Sequence, residues 1–413
     1  MIRVRIGLVL LVFIAMVFAV SGAGVGAPAG PPQPTGAFVP DEVLVKFARD
    51  VDPGPVARAV GAHLHGRIEG LDVHVLKVPV GTVEATVRAL TNNPLVEYAE
   101  PNGIATAFLD PNDPYDNTTC YNSSKNGCVM QWAWAKIQAY QAWDITTGTG
   151  IRVAVTDTGV DNSHPDLPAV VAQKDFINND DIAEDDNGHG THVAGTIGAL
   201  TNNSAGVAGT NWSVSLVAVK VLNASGSGSY SAVSSGIKWA ADNGAKVINI
   251  SLGGYLPSST LKSAVDYAWN KGVVLACAAG NDGMNWKLYP AAYANCIAVA
   301  ATDKNDAKAS FSNYGSSWVD VAAPGVNILS TMPNSSVYLG TQYGYFQDYD
   351  SLNGTSMATP HVAGVAGLVW AKFGLSSTAS FVRSRIENNA DAISGTGTYW
   401  AKGRINARRA VSP

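Results

Sequence analysis

Five short runs of almost uninterrupted apolar residues limit the folds that this chain can adopt. They lie between residues 151 and 303 and read IRVAVTD, VSLVAVKVL, AKVINISLGG, GVVLACAAGND and CIAVAATD. A strand with one solvated face alternates apolar and polar residues, and these runs do not. Their pattern is typical of strands that are buried on both faces of a parallel sheet.

Helical patterns lie between these strand candidates. SAVSSGIKWAADNG ends at Gly244 and STLKSAVDYAWNKG ends at Gly272, and glycine is the usual residue just beyond a helix C-terminus. Alternating strands and helices predict an α/β fold with a doubly wound, mostly parallel sheet. Ligands of such sheets bind at the carboxyl ends of the strands.

A separate small unit precedes this region, after the Pro/Gly-rich stretch GAPAGPPQPTG. EVLVKF, DVHVLKVP and LVEYAEP are strand-like, whereas GPVARAVGAHL and VEATVRALTNN are helical. These strands and helices alternate along some 70 residues, which predicts a small α+β unit.

Four polar residues follow or begin elements of the predicted sheet region. Asp157 ends the first apolar run, His189 begins a helix-like run, Asn281 lies at the end of the run GVVLACAAGND beside Asp282, and Ser356 precedes a long apolar helix. Acyl transfer requires a nucleophile, a base, a group that orients the base and a donor for the oxyanion. The four residues supply these groups.

Each residue also has a simpler interpretation. Asp157 could be a turn residue, and its triplet DTG occurs once, whereas an aspartic protease needs two carboxylates that share a proton. His189 and His192 could form a metal pair, but no His-Glu-x-x-His motif accompanies them. Asn281 could end a turn, and Ser356 could merely cap its helix.

The surrounding motifs favour catalysis. VAVTDTGVD, NGHGTHVAGT, VINISLGG, AAGND and NGTSMATPHVAG occur in this order, and from Leu109 to Val411 the chain resembles the subtilisin family of serine proteases. The resemblance implies that Ser356 is the nucleophile, His189 the general base and Asp157 the group that orients it. Asn281 and the N–H of Ser356 would donate to the oxyanion.

The resemblance also implies how a substrate is held. Two segments would pair with an extended peptide as an added strand, and their glycines would let its backbone approach. Leu288 would form the floor of the pocket for the residue before the cut. Broad specificity, with preference for large apolar or aromatic residues at that position, is therefore expected. The expected peptide-binding residues are Gly226, Ser227, Gly228, Ser251, Leu252, Gly253 and Gly254.

Two calcium sites are implied by the same resemblance, since oxygen ligands from several segments suit this cation. Solvated acidic loops are the alternative. At the second site Asn178 stands where an acid is expected and Glu184 where an amide is expected. The first set is Asp113, Asp166, Leu200, Asn203, Ala205 and Val207, and the second is Asp175, Asn178, Asp180, Ile182 and Glu184.

The N-terminal sequence predicts export. Arg3 and Arg5 precede an apolar run that is followed by small residues, which is typical of a signal peptide over residues 1–23. By resemblance, residues 24–108 are a linker and an inhibitory propeptide that aids folding, and residues 109–413 are the peptidase domain. The maturation cut is expected between Ala105 and Asp110. The mature protein is expected outside the cell, free of the membrane and monomeric.

Cysteine content and charge agree with this interpretation. Cys120 and Cys128 flank a short polar loop where a local disulfide is plausible, whereas Cys277 and Cys296 could be bridged or remain buried thiols. A net charge of −5 without clusters of Lys or Arg argues against a nucleic-acid partner.

The expected function is that of a secreted, calcium-dependent serine endopeptidase acting on proteins and peptides through an acyl-enzyme. A catalytically silent secreted binding protein on the same fold is the alternative.

Overall fold

The computed structural model describes residues 38–68, 70–103, 111–116 and 119–413, which form two compact units. No helix in these ranges is long and apolar enough to cross a membrane. The predicted signal peptide, the maturation junction and the boundary between residues 108 and 109 all lie outside the described residues, so the proposed division into domains stays a prediction.

The first unit is a four-stranded antiparallel sheet with two helices, as expected for a small α+β unit, and its strand order is β2-β3-β1-β4. Its core includes Val43, Val45, Leu76 and Leu90. Its elements are β1 (Phe38–Phe47), α1 (Pro53–Ala59), β2 (His63–Ile68), β3 (Val73–Lys77), α2 (Val83–Thr91) and β4 (Val96–Gly103). The sequence did not predict β2, because all six of its residues are exposed and its first two were assigned to the helical pattern GPVARAVGAHL; that helix ends at Ala59.

The second unit is built on a seven-stranded sheet of order β13-β12-β11-β10-β7-β9-β8, whose neighbouring strands are all parallel. The strands of this sheet are β7 (Arg152–Asp157), β8 (Ala172–Asp175), β9 (Ser215–Lys220), β10 (Val247–Ile250), β11 (Val274–Ala278), β12 (Cys296–Thr302) and β13 (Val321–Pro324). Two antiparallel hairpins accompany it, formed by β5 (Tyr121–Ser123) with β6 (Gly127–Val129) and β14 (Ile328–Thr331) with β15 (Tyr349–Leu352).

Helices cover both faces of this sheet, as the sequence predicts for a doubly wound fold. They are α3 (Ala133–Lys136), α4 (Ala139–Trp143), α5 (His189–Gly198), α6 (Tyr230–Asp242), α7 (Ser259–Asn270), α8 (Tyr338–Tyr343), α9 (Thr355–Phe373), α10 (Ala379–Asn388) and α11 (Ala407–Val411). Successive residues of β7 belong to different cores. Val153 and Val155 join the core that contains α9, and Ala154 joins the core that contains α6 and α7.

The predicted strands and helix ends are confirmed. The five apolar runs contain β7, β9, β10, β11 and β12, and Gly244 and Gly272 follow α6 and α7 with positive φ angles of 79° and 82°. The sequence did not predict β8 or β13, because β8 is a polar edge strand (AQKD) and β13 has four residues that include a proline.

The winding direction of the second sheet changes at β7. The chain leaves β7 for β8 and β9 on one side, and later builds β10 to β13 on the other. Such a change leaves a crevice at the carboxyl ends of the strands. Asp157 is the last residue of β7 and Ser251 directly follows β10.

Two disulfides close loops of the second unit. The expected bridge between Cys120 and Cys128 is present at the β5–β6 hairpin. Cys277 of β11 and Cys296 of β12 also form a disulfide, which resolves the alternative that the sequence left open. The chain between them carries Asn281 and Leu288.

Candidate active site

The carboxylate of Asp157 and the imidazole of His189 form the centre of the site. Asp157 is fully buried at the end of β7, and His189, the first residue of α5, keeps about a quarter of its side chain exposed. Asp157 Oδ1 lies 2.7 Å from His189 Nδ1 and accepts the N–H of Thr158 at 2.8 Å. The carboxylate therefore fixes the ring and leaves Nε2 to act on another group.

The Asp157 carboxylate also changes the basicity of His189. Burial by itself lowers the pKa of the imidazole, but the charge and hydrogen bond of Asp157 outweigh this effect, and the charge of Asp185 adds to theirs. The net pKa of His189 is raised above the ordinary value of 6.5. A histidine in this state gains a proton more readily, as a general base requires.

Asp185 is a buried carboxylate that holds the start of α5, and it was not among the residues predicted from the sequence. One oxygen accepts bonds from the Thr158 hydroxyl at 2.8 Å and from the N–H groups of Asn187 and Gly188 at 3.1 and 2.9 Å. The other accepts the N–H and hydroxyl of Thr191 at 2.8 and 2.7 Å. Its position four residues before His189, at the start of a helix, was the available signal.

Ser356 is the second residue of α9, where backbone N–H groups have no partner within the helix. Its hydroxyl donates to the carbonyl oxygen of Ser251 at 2.9 Å, and the Ser251 hydroxyl donates to the carbonyl oxygen of Ser356 at 2.9 Å. The nucleophile expected from the sequence is therefore hydrogen-bonded to the residue that directly follows β10, the strand next to β7. A hydrogen bond between Ser356 and His189 is absent among the described residues.

Pro360 explains why the Ser356 carbonyl can accept this bond. Pro360 is the sixth residue of α9 and lies inside the helix. Proline has no N–H, so the carbonyl four residues earlier, that of Ser356, lacks its helical donor. The Ser251 hydroxyl supplies the missing donor.

The side chain of Asn281 is fixed by α9. Its Oδ1 accepts the N–H of Thr355 at 2.8 Å and the Thr355 hydroxyl at 3.0 Å. This arrangement directs the Nδ2 group away from Thr355, and the residue is exposed. The amide is thus held beside Ser356 with its donor group available.

The expected peptide-binding segments border a cleft of about 550 Å³ that His189 also lines. Gly226, Ser227, Gly228, Ser251, Leu252 and Gly253 all line it. Gly254 instead pairs with Tyr289, with N···O distances of 2.9 and 2.8 Å. Leu288 is buried against Gly253, where an added Cβ would lie 2.6 Å from Leu288 Cδ2. Three residues of α8 line the cleft as well, and the sequence analysis missed them: Tyr338, Leu339 and Tyr343.

The first expected metal set surrounds two buried carboxylates, although Asn203 and Ala205 are exposed. Asp113 and Asp166 are almost fully buried, and Asn203 lies between them, with its N–H 3.4 Å from Asp113 Oδ1 and its Nδ2 2.8 Å from Asp166 Oδ1. Asp166 Oδ2 accepts the N–H of Val207 at 2.9 Å, and the carbonyl of Asp166 accepts the N–H of Leu200. Ala205 belongs to the same loop and donates to Asn203 Oδ1.

The charge in this first cluster is poorly compensated. Burial raises the pKa of Asp166 to about 7, with a further contribution from Asp113, and burial also raises the pKa of Asp113. Two neighbouring buried carboxylates suit a divalent cation. The charge of such an ion would lower the pKa values of both Asp113 and Asp166. Asn203 would have to turn its oxygen toward the ion.

The second expected set fits a cation less well. Asp175 Oδ1 accepts the N–H groups of Ile177 and Asn178, and Asp175 Oδ2 accepts the Asn178 amide at 2.8 Å. Asp180 accepts the N–H of Ile182, and Glu184 is exposed. Within the described residues, no three His, Cys, Asp or Glu side chains are arranged to hold a metal ion. A cation at either loop would therefore need carbonyl or amide oxygens.

This fold, with its Asp–His pair and a serine at a helix start, is that of a hydrolase. The model of the Subtilase family matches residues 148–407, and the chain belongs to this family of serine proteases. The model of the Fervidolysin N-terminal prodomain matches residues 27–102.

Comparison with individual proteases supports this family membership. The chain is 54% identical to thermitase of Thermoactinomyces vulgaris over 302 residues, which cover 73% of this chain and 99% of the relative. It is 46% identical over 385 residues to a thermophilic serine proteinase of Bacillus sp. (strain AK1), covering 91% and 88% of the two chains. A solved protease structure from Pseudoalteromonas arctica matches with a TM-score of 0.62 and 33% identity over 73% of this chain and 98% of that one.

Proposed function

We propose that this serine protease is a secreted endopeptidase that cuts peptide bonds through an acyl-enzyme on Ser356. The observation that carries the proposal is the 2.7 Å bond between Asp157 and His189, at the same sheet edge as Ser251, which accepts the Ser356 hydroxyl. Secretion is supported by the two disulfides, which persist in oxidising compartments.

In the first half-reaction the Ser356 hydroxyl leaves the Ser251 carbonyl and gives its proton to His189 Nε2 as Oγ attacks the peptide carbonyl carbon. Catalytic hydrogen bonds often form only in the substrate complex, so the resting contact with Ser251 is compatible with this step. The oxyanion accepts from Asn281 Nδ2 and the N–H of Ser356. His189 then protonates the leaving amine, while Asp157 stabilises the charged imidazole.

In the second half-reaction water replaces the amine. His189 takes a proton from the water, whose oxygen attacks the acyl carbon, and the same two donors bind the second oxyanion. Collapse of this intermediate returns the proton to Ser356 and releases the carboxylic acid product.

A fluorophosphonate probe tests the proposal, because it reacts only with an activated serine. We expect one label per chain, on Ser356, and no label on Ser356→Ala. Ser376→Ala, at an exposed serine, is the control and should label normally. A chain that bound peptides without taking the label would instead be the catalytically silent binding protein.

The position of Leu288 predicts specificity. A buried leucine beneath Gly253 offers no counter-charge, so cuts should follow aromatic or large aliphatic residues more often than Lys or Arg. Leu288→Ala should lower kcat/KM for substrates with Phe before the cut, relative to those with Ala, by about 10–100-fold. Leu375→Ala, at an exposed leucine, should leave the ratio unchanged. Cleavage of a peptide library mainly after Arg or Lys would overturn this assignment.

We further propose calcium as a structural ion. Asp113 and Asp166 would hold it at the first site, with the carbonyls of Leu200, Ala205 and Val207 and the Asn203 side chain. A second ion would use Asp175, Asn178, Asp180, Glu184 and the Ile182 carbonyl, after displacing the Asn178 amide from Asp175. Such ions would link separate segments of the folded chain.

Chelation should therefore destabilise the protein. A cation that binds only the folded state at 100 times its Kd adds about 2.7 kcal/mol per site, so excess EDTA should lower Tm by about 5–10 °C and speed autolysis. Calcium should restore Tm better than magnesium, which prefers smaller, octahedral sites. Asp113→Ala should lower Tm and reduce the response to EDTA. If Tm and the inactivation half-life were unchanged in EDTA, the proposal of structural calcium would be wrong.

The first unit would serve as an inhibitory propeptide and folding aid, as the match to a prodomain suggests. The substrates would be proteins and peptides, and the mature enzyme would act as an extracellular monomer.

A further inference from the structure

Helix α8 lies in a 17-residue loop, residues 332–348, which joins the two strands of the β14–β15 hairpin. The register of the hairpin pairs Thr331 with Tyr349 at the loop end and Ile328 with Leu352 at the other. Leu352 is four residues from Ser356. The loop is therefore tied through β15 to the helix that carries the nucleophile.

The start of α8 is also fixed against the segment that precedes His189. The N–H of Tyr338 donates to the carbonyl of Asp186 at 3.1 Å, and that of Leu339 donates to the carbonyl of Asn187 at 3.0 Å. A Cβ added at Gly188 would lie 3.5 Å from Leu339 Cδ1. These contacts hold α8 beside the catalytic histidine.

Three side chains of α8 face the cleft that His189 lines. Tyr338, Leu339 and Tyr343 lie there, and the rings of the two tyrosines meet edge to face with centroids 6.0 Å apart. Tyr343 is 55% exposed, so its ring has free apolar surface. Leu222 lines the same cleft and adds an aliphatic surface.

We propose that Tyr338, Leu339 and Tyr343 form a wall of the subsite for the second residue before the cut, and that they favour an aromatic or large aliphatic side chain there. The inference rests on the proposed function. Neighbouring side chains of an extended peptide point in opposite directions. The residue before the cut points to Leu288, which is absent from the described lining of this cleft. The second residue therefore points to the side of His189 and α8.

The chemistry of the wall supports this preference. Two tyrosine rings, a leucine and Leu222 offer apolar surface and ring edges, and an aromatic pair gains energy beyond that of buried area. A glycine or alanine at this position of the substrate would leave that surface exposed to water.

The test compares two peptide substrates that differ only in the second residue before the cut, Phe or Gly, with Phe retained before the cut. Active sites are first counted with the fluorophosphonate. For the Tyr338→Ala/Tyr343→Ala variant, we expect the ratio of kcat/KM for the Phe and Gly substrates to fall about tenfold. Phe346→Ala removes an exposed aromatic ring of the same loop that lies outside the cleft lining, and it should keep the wild-type ratio.

An unchanged ratio in the double variant would overturn the inference, as would an equal loss with both substrates, which indicates damage to His189 rather than lost side-chain binding. Melting temperatures of all variants exclude a folding defect. If the wild-type protein does not take the fluorophosphonate, the proposed function itself has failed. A labelled enzyme with an unchanged ratio refutes the α8 subsite alone.

Discussion

Replacing Ser356 by alanine should lower kcat by a factor of about 10⁶, a magnitude that comes from subtilisin itself, and should leave the precursor uncut. The variant keeps Asp157, His189 and Asn281 but has no atom that can form the acyl bond. If the protein matures itself, no cut should appear between Ala105 and Asp110 when purified precursor is incubated alone. N-terminal sequencing and mass spectrometry of the product measure the result.

The Ser376→Ala variant controls for the loss of a hydroxyl at an exposed position and should mature normally. Added wild-type enzyme should cut the Ser356→Ala precursor in trans if its junction is accessible. Normal maturation of the purified Ser356→Ala protein would refute self-processing.

Asp157→Asn should lower kcat by about 10⁴, because an amide cannot stabilise the charged imidazole and favours the wrong tautomer. The pH profile gives a second readout. Activity needs neutral His189, and the raised pKa of His189 places the acid limb of the wild-type kcat/KM profile above pH 6.5. Removing the charge of Asp157 lowers that pKa, so the acid limb of the variant should move to lower pH.

Asp266→Asn is the matched control, since Asp266 forms an ion pair with Lys262 on the exposed face of α7. Its profile should coincide with that of the wild type. An unmoved acid limb in Asp157→Asn would show that Asp157 does not set the basicity of His189.

Much of the second unit is predictable from sequence because burial on both faces of a strand produces unbroken apolar runs. β7 is an example, and its end also identifies Asp157 as a residue at the edge of the sheet. The edge strand β8 gave no such signal, since half-buried polar residues such as those of AQKD occur equally in loops. The exposed strand β2 was missed because its first two residues continue the helical pattern GPVARAVGAHL.

Long-range contacts explain what the sequence did not predict at the site. The bond from Ser356 to Ser251 joins residues 105 positions apart, and its partner could not be inferred from either motif. Tyr338 and Tyr343 reach the cleft only because a hairpin loop folds back onto the segment before His189. The side-chain amide of Asn178 donates a hydrogen bond to Asp175, and a pattern of ligand residues alone does not reveal this local contact.

The proline inside α9 has a mechanical consequence. Because Pro360 leaves the Ser356 carbonyl without a helical donor, that carbonyl accepts the Ser251 hydroxyl, and the first residue of the proposed peptide-binding segment is bonded directly to the proposed nucleophile. We expect these two hydrogen bonds to pass a displacement of Ser251 on to Ser356. The proposed binding segment and the Ser356 oxygen would then move together, so that their separation would change little when the sheet moves. Catalysis depends on such a constant separation, because a small misplacement of the reacting atoms lowers the rate strongly.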